Sequence, residues 1–459
     1  MSREGEKEVS VEEGLEPHLQ EKPGFQTPDG STEESAAEQQ NVPVEQSKAP
    51  YNPWTDPSSF PDGGTEAWLT VLGGFCCLFN SWGWINCVGV FTSYYLENSL
   101  SQYSASTVAW IPSVETFFML ACGPLAGYIF DNYGPRYLLI VGSFLHVFGL
   151  MMTSISKEYY QFMLSQGVCS AIGASFLFNP AMGCVSTWFF KKRGMAIGIM
   201  AAGSSLGGVI FPIVVSHMIR ETGFGWAMRT CAFLILFNCV IAILTLRSRI
   251  PPSGRKFDIR AFIRPLGEFP MVWTTGAVFM FYWGMFCVMT FITIVAHARG
   301  MSLQLAEYLV SILNAGSIFG RTIPGIIGDK LGRFNVMIVF CTLTVIFMLG
   351  LWIPGTSNAA LIVFALMFGF SSGAAIGLTP ALIAQISPIR EIGVRVGTVF
   401  AAGSIGALTG SPIAGALISR DHGKFLYMML FGGCTCIVGV VFFVAARISI
   451  GGLSLKKRI

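Results

Sequence analysis

The sequence predicts an all-α integral membrane protein with 12 transmembrane helices arranged as two six-helix repeats. Three observations predict this fold. Only 12% of the residues are charged and 53% are apolar, whereas soluble domains carry roughly a quarter charged residues. Apolar stretches of about 20 residues, the length that crosses a bilayer, recur along the chain. Motifs of the first half also return in the second half at a nearly constant offset.

The chain divides into segments by charge and hydropathy. The first 50 residues hold 12 acidic and 4 basic side chains and almost no aromatic ones. Such a segment cannot bury enough apolar surface to fold. We therefore expect a disordered acidic cytoplasmic tail at 1–60, a six-helix bundle at 61–247 and a cytoplasmic linker at 248–268. A second six-helix bundle at 269–447 and a basic cytoplasmic tail at 448–459 follow.

The basic residues predict the orientation of these helices. The apolar stretches lie at 66–92, 106–130, 137–155, 160–187, 194–217, 226–247, 269–295, 303–328, 334–353, 358–384, 395–418 and 425–447. If both termini are cytoplasmic, the inner loops and C-terminal tail hold 18 Lys and Arg residues, and the outer loops and helix ends hold six. This positive-inside bias favours cytoplasmic termini. We expect a multi-pass plasma membrane protein. The terminal KKRI, which resembles a dilysine retrieval signal, leaves the endoplasmic reticulum or another internal membrane open.

Two pairs of segments carry the internal repeat. GYIFDNYG at 127–134 matches GIIGDKLG at 325–332, and AAGSSLGGVIFP at 201–212 matches AAGSIGALTGSP at 401–412. Glycines permit close helix approach and tight turns, and the aspartates are expected at helix ends facing cations on the inner side. We predict a latch that breaks as the two halves move. Its residues are Gly127, Asp131, Gly134 and Arg136, and Gly325, Asp329, Gly332 and Arg333.

The repeated Gly-x-x-x-Asp-x-x-Gly element resembles the signature loop of the major facilitator superfamily, and two six-helix repeats are its architecture. PDGGTEAW at 61–68 and WFFKKRGMAIGIMAAGSSLGG at 188–208 resemble the two signatures of its monocarboxylate transporter family, most closely the fungal branch. The resemblance extends over nearly the whole chain from about residue 60. It implies a transporter that works by alternating access. One departure is Thr65-Glu66, where the family usually has an aromatic and a small residue.

Arg321 is the candidate anchor for a substrate. It lies in NAGSIFGRTIPGIIGDKLGR at 314–333, eight residues before Asp329, which places it about 12 Å from the inner end of its helix. The resemblance implies that this arginine pairs with the substrate carboxylate. A structural arginine, paired within the protein or reaching the inner face, is the alternative. Ser317 and Asn86 occupy the positions where animal members of the family have an aspartate and a proton-coupling lysine, which weakens the case for lactate-type symport.

Further polar residues within the apolar stretches are candidates for the same site. Asn314 and Ser317 share a helix face with Arg321, and the predicted substrate-binding set is Arg321, Ser317, Asn314, Asn86, Asn179 and Tyr282. Glu115 is an intramembrane carboxylate, a residue type that often serves as a proton site. It is therefore a candidate for coupling to a proton or to a cationic group of the substrate. A partly hydrated carboxylate at the outer interface is the alternative.

These residues favour a transporter that exports an organic anion or acidic secondary metabolite of a fungal pathway. Proton-coupled uptake of a small monocarboxylate or vitamin-like acid is the first alternative, and a nutrient-sensing transceptor is the second. No zinc-protease helix, nucleophile elbow or phosphate loop is present in the sequence, so we expect no enzyme, no metal site and no cofactor. The expected partners are the substrate, protons and the lipid bilayer. We expect no nucleic acid, and no protein partner is identifiable.

Overall fold

The computed structural model describes residues 59–254 and 260–452. Within them, 12 helices are long and apolar enough to cross a membrane, as the sequence predicted. Most of the predicted acidic tail, Arg255 and Lys256 of the linker, and the terminal KKRI lie outside the described residues. The spans are α1 (Thr65–Ser99), α2 (Trp110–Tyr133), α3 (Pro135–Thr153), α4 (Tyr159–Trp188), α5 (Arg193–Thr222), α6 (Phe224–Thr245), α7 (Phe269–Ala298), α8 (Leu303–Leu331), α9 (Arg333–Trp352), α10 (Asn358–Gln385), α11 (Ile389–Arg420) and α12 (Leu426–Gly451).

Several spans are interrupted. The first span consists of helical pieces at Thr65–Asn80, Trp82–Ile85 and Val88–Tyr94, followed by a π-helical turn at Tyr95–Ser99. The second is divided at Cys122, just before Pro124, because proline cannot donate the helical hydrogen bond. Further π-helical segments occupy Met163–Ser170 in α4 and Met348–Trp352 in α9. Such segments often occur at functional positions.

Short elements connect the spans. A single turn at Ala105–Val108 precedes α2. The described part of the linker between α6 and α7 holds a helical turn at Arg260–Ile263 and a 3-10 turn at Arg264–Gly267. Another 3-10 turn, Ile389–Glu391, leads into the α-helical part of α11 at Ile392–Arg420. The turn at Ala105–Val108 lies at one end of the molecule. The other turns lie at the opposite end, where the two Gly-x-x-x-Asp loops are found, which we call the latch end.

Most contacts between the two six-helix halves run along two helix pairs, α2 with α11 and α5 with α8. Glycines make these approaches close. A Cβ atom added to Gly194 on α5 would lie 2.7 Å from the carbonyl oxygen of Gly325 on α8, and one added to Gly123 on α2 would lie 2.8 Å from that of Gly397 on α11. Membrane helices associate through small residues of this kind, since lipid offers no hydrophobic drive for helices to pair.

The surface around the spans is apolar. Large side chains such as Phe144, Phe237 and Leu244 are between 64% and 66% exposed in the protein alone. Their positions on α3 and α6 form an outer face that fits contact with lipid rather than water. The polar side chains discussed below lie inside this apolar surface.

Candidate functional site

The first copy of the repeated loop joins α2 to α11. Both carboxylate oxygens of Asp131 accept backbone hydrogen bonds from the first turn of α11, one from Gly393 at 3.1 Å and one from Val394 at 2.9 Å. The first N–H groups of a helix have no partner within it, and a negative charge there also interacts favourably with the helix dipole. Asp131 therefore caps a helix of the opposite half.

The second copy repeats this arrangement with the halves exchanged. Asp329 on α8 accepts hydrogen bonds from the backbone N–H groups of Gly194 at 2.9 Å and Met195 at 2.8 Å, at the start of α5. Arg333 forms a salt bridge with the same carboxylate at 2.8 Å and donates to the Phe190 carbonyl oxygen. The predicted latch is thus a pair of helix caps that cross between the halves.

Arg136, which was predicted to belong to the latch, is exposed and the structure does not bring it to Asp131. Arg333 follows Asp329 by four residues and starts α9 directly after Gly332, which ends α8, and from there it reaches the carboxylate. Arg136 follows Asp131 by five residues, and Pro135 takes the equivalent position.

The two signature segments of the sequence meet at the latch end. The carboxylate of Asp62, in PDGGTEAW, accepts hydrogen bonds from the backbone N–H groups of Phe190 at 2.8 Å and Lys192 at 3.1 Å. Asp62 adopts a φ of 48°, a left-handed conformation that aspartate tolerates better than most residues. The loop before α5 is therefore held by the segment that precedes α1.

Charged groups surround a cavity of about 510 Å³ at the latch end, with lining residues from both halves that include Lys191, Arg193 and Arg333. Nearby, Arg395 forms a two-pronged pair with Glu268, at 2.7 and 2.6 Å. The hydrogen bond from Arg395 lowers the pKa of Glu268. Arg193 donates to the Ala384 carbonyl oxygen of α10 at 3.2 Å and so adds another bond between the halves.

Arg321 lies farther from the latch end and is only 2% exposed. Its Nε donates to Ser317 Oγ at 3.1 Å, and one terminal nitrogen donates to the Ala201 carbonyl oxygen on α5 at 3.0 Å. Among residues 59–254 and 260–452, no Asp or Glu side chain forms a salt bridge with it. The structure therefore contains a buried guanidinium whose partners are neutral.

Two predicted amides bridge the halves one to two turns from Arg321. Asn314 donates to the Asn86 side-chain oxygen at 3.0 Å, and Asn86 donates to the Trp82 carbonyl oxygen at 2.7 Å. The side-chain oxygen of Asn314 is buried and has no hydrogen-bond partner. A ligand donor could satisfy that oxygen, because buried polar atoms are normally paired.

An aromatic cluster lies across the same interface and is defined by five rings, Trp82, Phe178, Tyr282, Phe286 and Phe400. Trp82 stacks on Phe286 with ring centroids 6.5 Å apart, and Phe178 meets Phe400 edge-on at 5.0 Å. Both contacts join the first half to the second. Tyr282 packs against Phe286 and Phe400 and is close enough to Arg321 to interact with its charge. The Tyr282 hydroxyl has no hydrogen-bond partner.

Asn179 is near this cluster in sequence but is engaged elsewhere. Its side-chain nitrogen donates to the carbonyl and hydroxyl oxygens of Ser175 in its own helix, at 3.0 and 3.1 Å. Its side-chain oxygen is buried without a partner. The structure thus brings Ser317, Tyr282, Asn314 and Asn86 together around Arg321 and its helix, whereas Asn179 has no hydrogen bond to that group.

Glu115 is 2% exposed, so the alternative of a partly hydrated carboxylate at the interface is wrong. Its Oε2 accepts a hydrogen bond from Gln166 on α4 at 2.9 Å, and the Gln166 side-chain oxygen accepts one from the Tyr95 hydroxyl on α1 at 2.6 Å. Sequence reasoning missed Gln166 and Tyr95. Gln166 could have been noticed as a polar residue within an apolar stretch. The periodicity of one helix, however, does not indicate which side chains of other helices it contacts.

Comparisons with known proteins agree with this architecture. The family model described as Major Facilitator Superfamily matches residues 70–276 and 274–452. Among solved structures, the E. coli fucose:proton symporter is similar with a TM-score of 0.65 and 14% identity, over 82% of this chain and 98% of that chain. A structure of the same symporter in an outward conformation has a TM-score of 0.63 over the same shares. Identity at this level supports the fold alone.

Several fungal proteins have a much higher sequence identity to this chain than these solved structures have. The chain is 50% identical to "MFS-type transporter 1" of Ophiocordyceps sp. over 93% of its own length and 94% of the relative's. It is 47% identical to the "Fujikurins efflux protein" of Gibberella fujikuroi, over 84% of this chain and 83% of that protein. It is 40% identical to an "Aspyridones efflux protein" of Emericella nidulans, over 88% and 82%.

Proposed function

Because the chain belongs to the Major Facilitator Superfamily, we propose that it exports an organic anion or acidic secondary metabolite by alternating access, with Arg321 holding the acid group. The observation that carries this proposal is the burial of Arg321 without a carboxylate partner among the described residues. A guanidinium stays charged at any ordinary pH, and a charged side chain within the bilayer costs several kcal/mol at least. A bound carboxylate would offset that cost.

The chemistry of Arg321 suits this role. Its planar fork can bind a carboxylate through two parallel hydrogen bonds. Ser317 Oγ and the Ala201 carbonyl oxygen already orient it. An incoming carboxylate can exchange with the neutral Ala201 carbonyl, which would also weaken one bond between α5 and α8. Substrate binding and movement of the two halves are thereby linked through one side chain.

The surroundings of Arg321 favour a substrate larger than lactate. Tyr282 and the rest of the aromatic cluster provide apolar surface, and the unpaired Asn314 oxygen and Tyr282 hydroxyl provide two polar positions. Binding sites for mid-sized ligands commonly combine apolar walls with a few polar groups. This combination supports an acid with an apolar or aromatic body. It also fits the proposed place of the chain in the fungal branch of monocarboxylate transporter-like proteins.

Export is favoured over uptake because two relatives are named as efflux proteins, one for fujikurins and one for aspyridones. The excess of Lys and Arg near the latch end supports cytoplasmic termini and a cytoplasmic latch end. We propose the plasma membrane as the location, because export of the substrate from the cell requires transport across that membrane. A transporter that collects its substrate from the cytoplasm must open the latch end, so the caps formed by Asp131 and Asp329 must separate in each cycle.

Deleting the gene in the organism that encodes the chain tests this proposal. Mass spectrometry of cells and medium should show at least one organic acid that accumulates inside and falls in the medium. Wild type should restore secretion, Arg321→Gln should reduce it at least tenfold, and Arg321→Lys should restore it only in part. Arg420→Gln, at an exposed arginine on α11, is the matched control and should behave as wild type. Equal secretion by Arg321→Gln and wild type, or loss of lactate uptake with no retained acid, would refute the proposal.

A further inference from the structure

We propose that Glu115 is the site where the transporter binds a proton from outside, and that its protonation lets the outer ends of the two halves close. This inference rests on the proposed export function, since it assigns the ion that drives it. It uses a group separate from the anion site. Glu115 is held by α1, α2 and α4 of the first half, whereas Arg321 lies on α8.

The carboxylate has the surroundings of an exchangeable proton site. It is 2% exposed, and no Lys, Arg or His forms a salt bridge with it among the described residues. The indole of Trp84 lies next to it without meeting the geometry of a hydrogen bond. A buried carboxylate without a cation is costly, whereas a neutral carboxyl is not. The packed arrangement around Glu115 therefore suits the protonated form.

Among the described residues, the titratable groups packed around Glu115 do not compete for this proton. On α1, Tyr95 and Cys87 face the carboxylate, and both are neutral at ordinary pH. The part of α4 that packs on α2 contributes Gln166, and His146 of α3 lies behind Trp84, hydrogen-bonded to Ser170 and to the Asn80 carbonyl oxygen. The facing helix α11 has no titratable residue between Arg395 and Arg420.

The backbone around the carboxylate also suits a moving part. The hydrogen-bond chain runs from Tyr95 through Gln166 to Glu115. Tyr95 lies in the π-helical segment Tyr95–Ser99, and Gln166 lies in the π-helical segment Met163–Ser170. Such segments have an irregular hydrogen-bond ladder and are frequent at functional sites. They lie toward the end of the bundle opposite the latch end, so opening there would connect Glu115 with outside water.

The proton cycle follows from these features. When the outer end is open, water delivers a proton to the Glu115 carboxylate, and the neutral carboxyl can be buried as the outer end closes. When the latch end opens, the carboxyl returns the proton to water on the other side. No bond other than the O–H bond forms or breaks, and the proton moves opposite to the exported anion.

The test uses protons alone as the ligand. Spin labels at Thr222→Cys, at the outer end of α5, and at Lys424→Cys, in the loop that follows α11, report the distance between the halves. Both positions are exposed, and exposed Cys434 is replaced by Ser. In wild type this distance should be longer at high pH than at low pH. Glu115→Gln mimics the neutral carboxyl and should keep the short distance at both pH values. Glu307→Gln, at an exposed carboxylate on α8, should respond as wild type.

A second measurement identifies the protonated group directly. Infrared difference spectra between low and high pH should contain the C=O stretch of a protonated carboxyl that is missing in Glu115→Gln. If that variant does not fold, Glu115→Asp shortens the side chain away from Gln166 and should shift the pH midpoint of the distance change. An unchanged pH response in Glu115→Gln, or an unchanged midpoint in Glu115→Asp, overturns the proposal. Arg321→Gln should keep the pH response, so a failure of anion export is recognised separately.

Discussion

Arg321 shows at the scale of one residue how packing determines the position of a charge. Glycines on both neighbouring helices contact its backbone: a Cβ atom on Gly377 of α10 would lie 3.0 Å from the Arg321 carbonyl oxygen, and one on Gly198 of α5 would press on the same oxygen. The guanidinium then reaches Ala201 on α5. The charge was recognisable in the sequence because it interrupts an apolar helix. Its neutral partner on α5 could not be recognised, because every residue has a backbone carbonyl and the sequence does not show which one accepts the hydrogen bond.

We expect Gly198→Ala to destabilise the protein, because the added methyl group meets backbone atoms that cannot move without separating α5 from α8. Overpacking of this kind costs about 1–3 kcal/mol, and the melting temperature of the purified protein should fall by several degrees. Gly415→Ala is the matched control. Its Cβ would meet nothing within 4 Å, and alanine favours the helix by roughly 1 kcal/mol over glycine, so its melting temperature should stay equal or rise.

The ion pair between Glu268 and Arg395 predicts a dependence of stability on pH. Arg395 lowers the pKa of Glu268 from the ordinary value of 4.5. The contribution of this ion pair to the stability of the protein is therefore complete above pH 4.5 and is lost as the pH falls through the lowered pKa. Wild type should therefore melt at a higher temperature than Glu268→Gln near pH 7, and the gap should close below pH 4.5. Glu307→Gln should show no such gap. A gap that persists in acid would contradict the assignment of this pair.

At the scale of helices, the sequence was sufficient for the number and order of the spans, because 20-residue apolar stretches and positive loops are direct consequences of the bilayer. It was not sufficient for their interior breaks. The division of α1 at Ser81 and the π-helical segment at Met163–Ser170 depend on contacts between helices. Gly83, for instance, packs against the backbone of Gly207 on α5, and a single-helix pattern contains no information on that contact.

The caps on α5 and α11 predict how the latch responds to a loss of charge. Asp131→Asn and Asp329→Asn keep the shape of the side chain but remove the negative charge from a helix N-terminus, which costs about 1 kcal/mol for each cap. A cysteine at Ser387, in the latch-end cavity, should then react about fivefold faster with a maleimide. Asp421→Asn, at the other end of α11, is the control. Unchanged reactivity in both latch variants would show that these caps do not hold the latch closed.

At the scale of the whole molecule, the predicted repeat explains why two loops distant in sequence act as one device. Asp131 in the first half caps α11 of the second half, and Asp329 in the second half caps α5 of the first half. Exchanging the two repeats therefore converts one contact into the other. The sequence indicated two latch copies in register. It did not indicate that the partners are backbone N–H groups. It also placed Arg136 in the latch by resemblance to the family motif, whereas Arg136 is exposed in the structure.

A cross-link across the latch-end cavity should prevent motion between the two halves. Lys191 and Gln385 line the latch-end cavity from opposite halves, so a flexible bismaleimide joining Lys191→Cys to Gln385→Cys should hold the latch end closed, with Cys434 replaced by Ser. Secretion of the acid that the deletion strain retains should then stop, because the proposed entrance for the acid cannot open. The same reagent across Ser156→Cys and Tyr160→Cys, both around a cavity within the first half, should leave secretion intact. Continued secretion through a fully cross-linked latch would mean that the substrate takes a path other than the space between the halves.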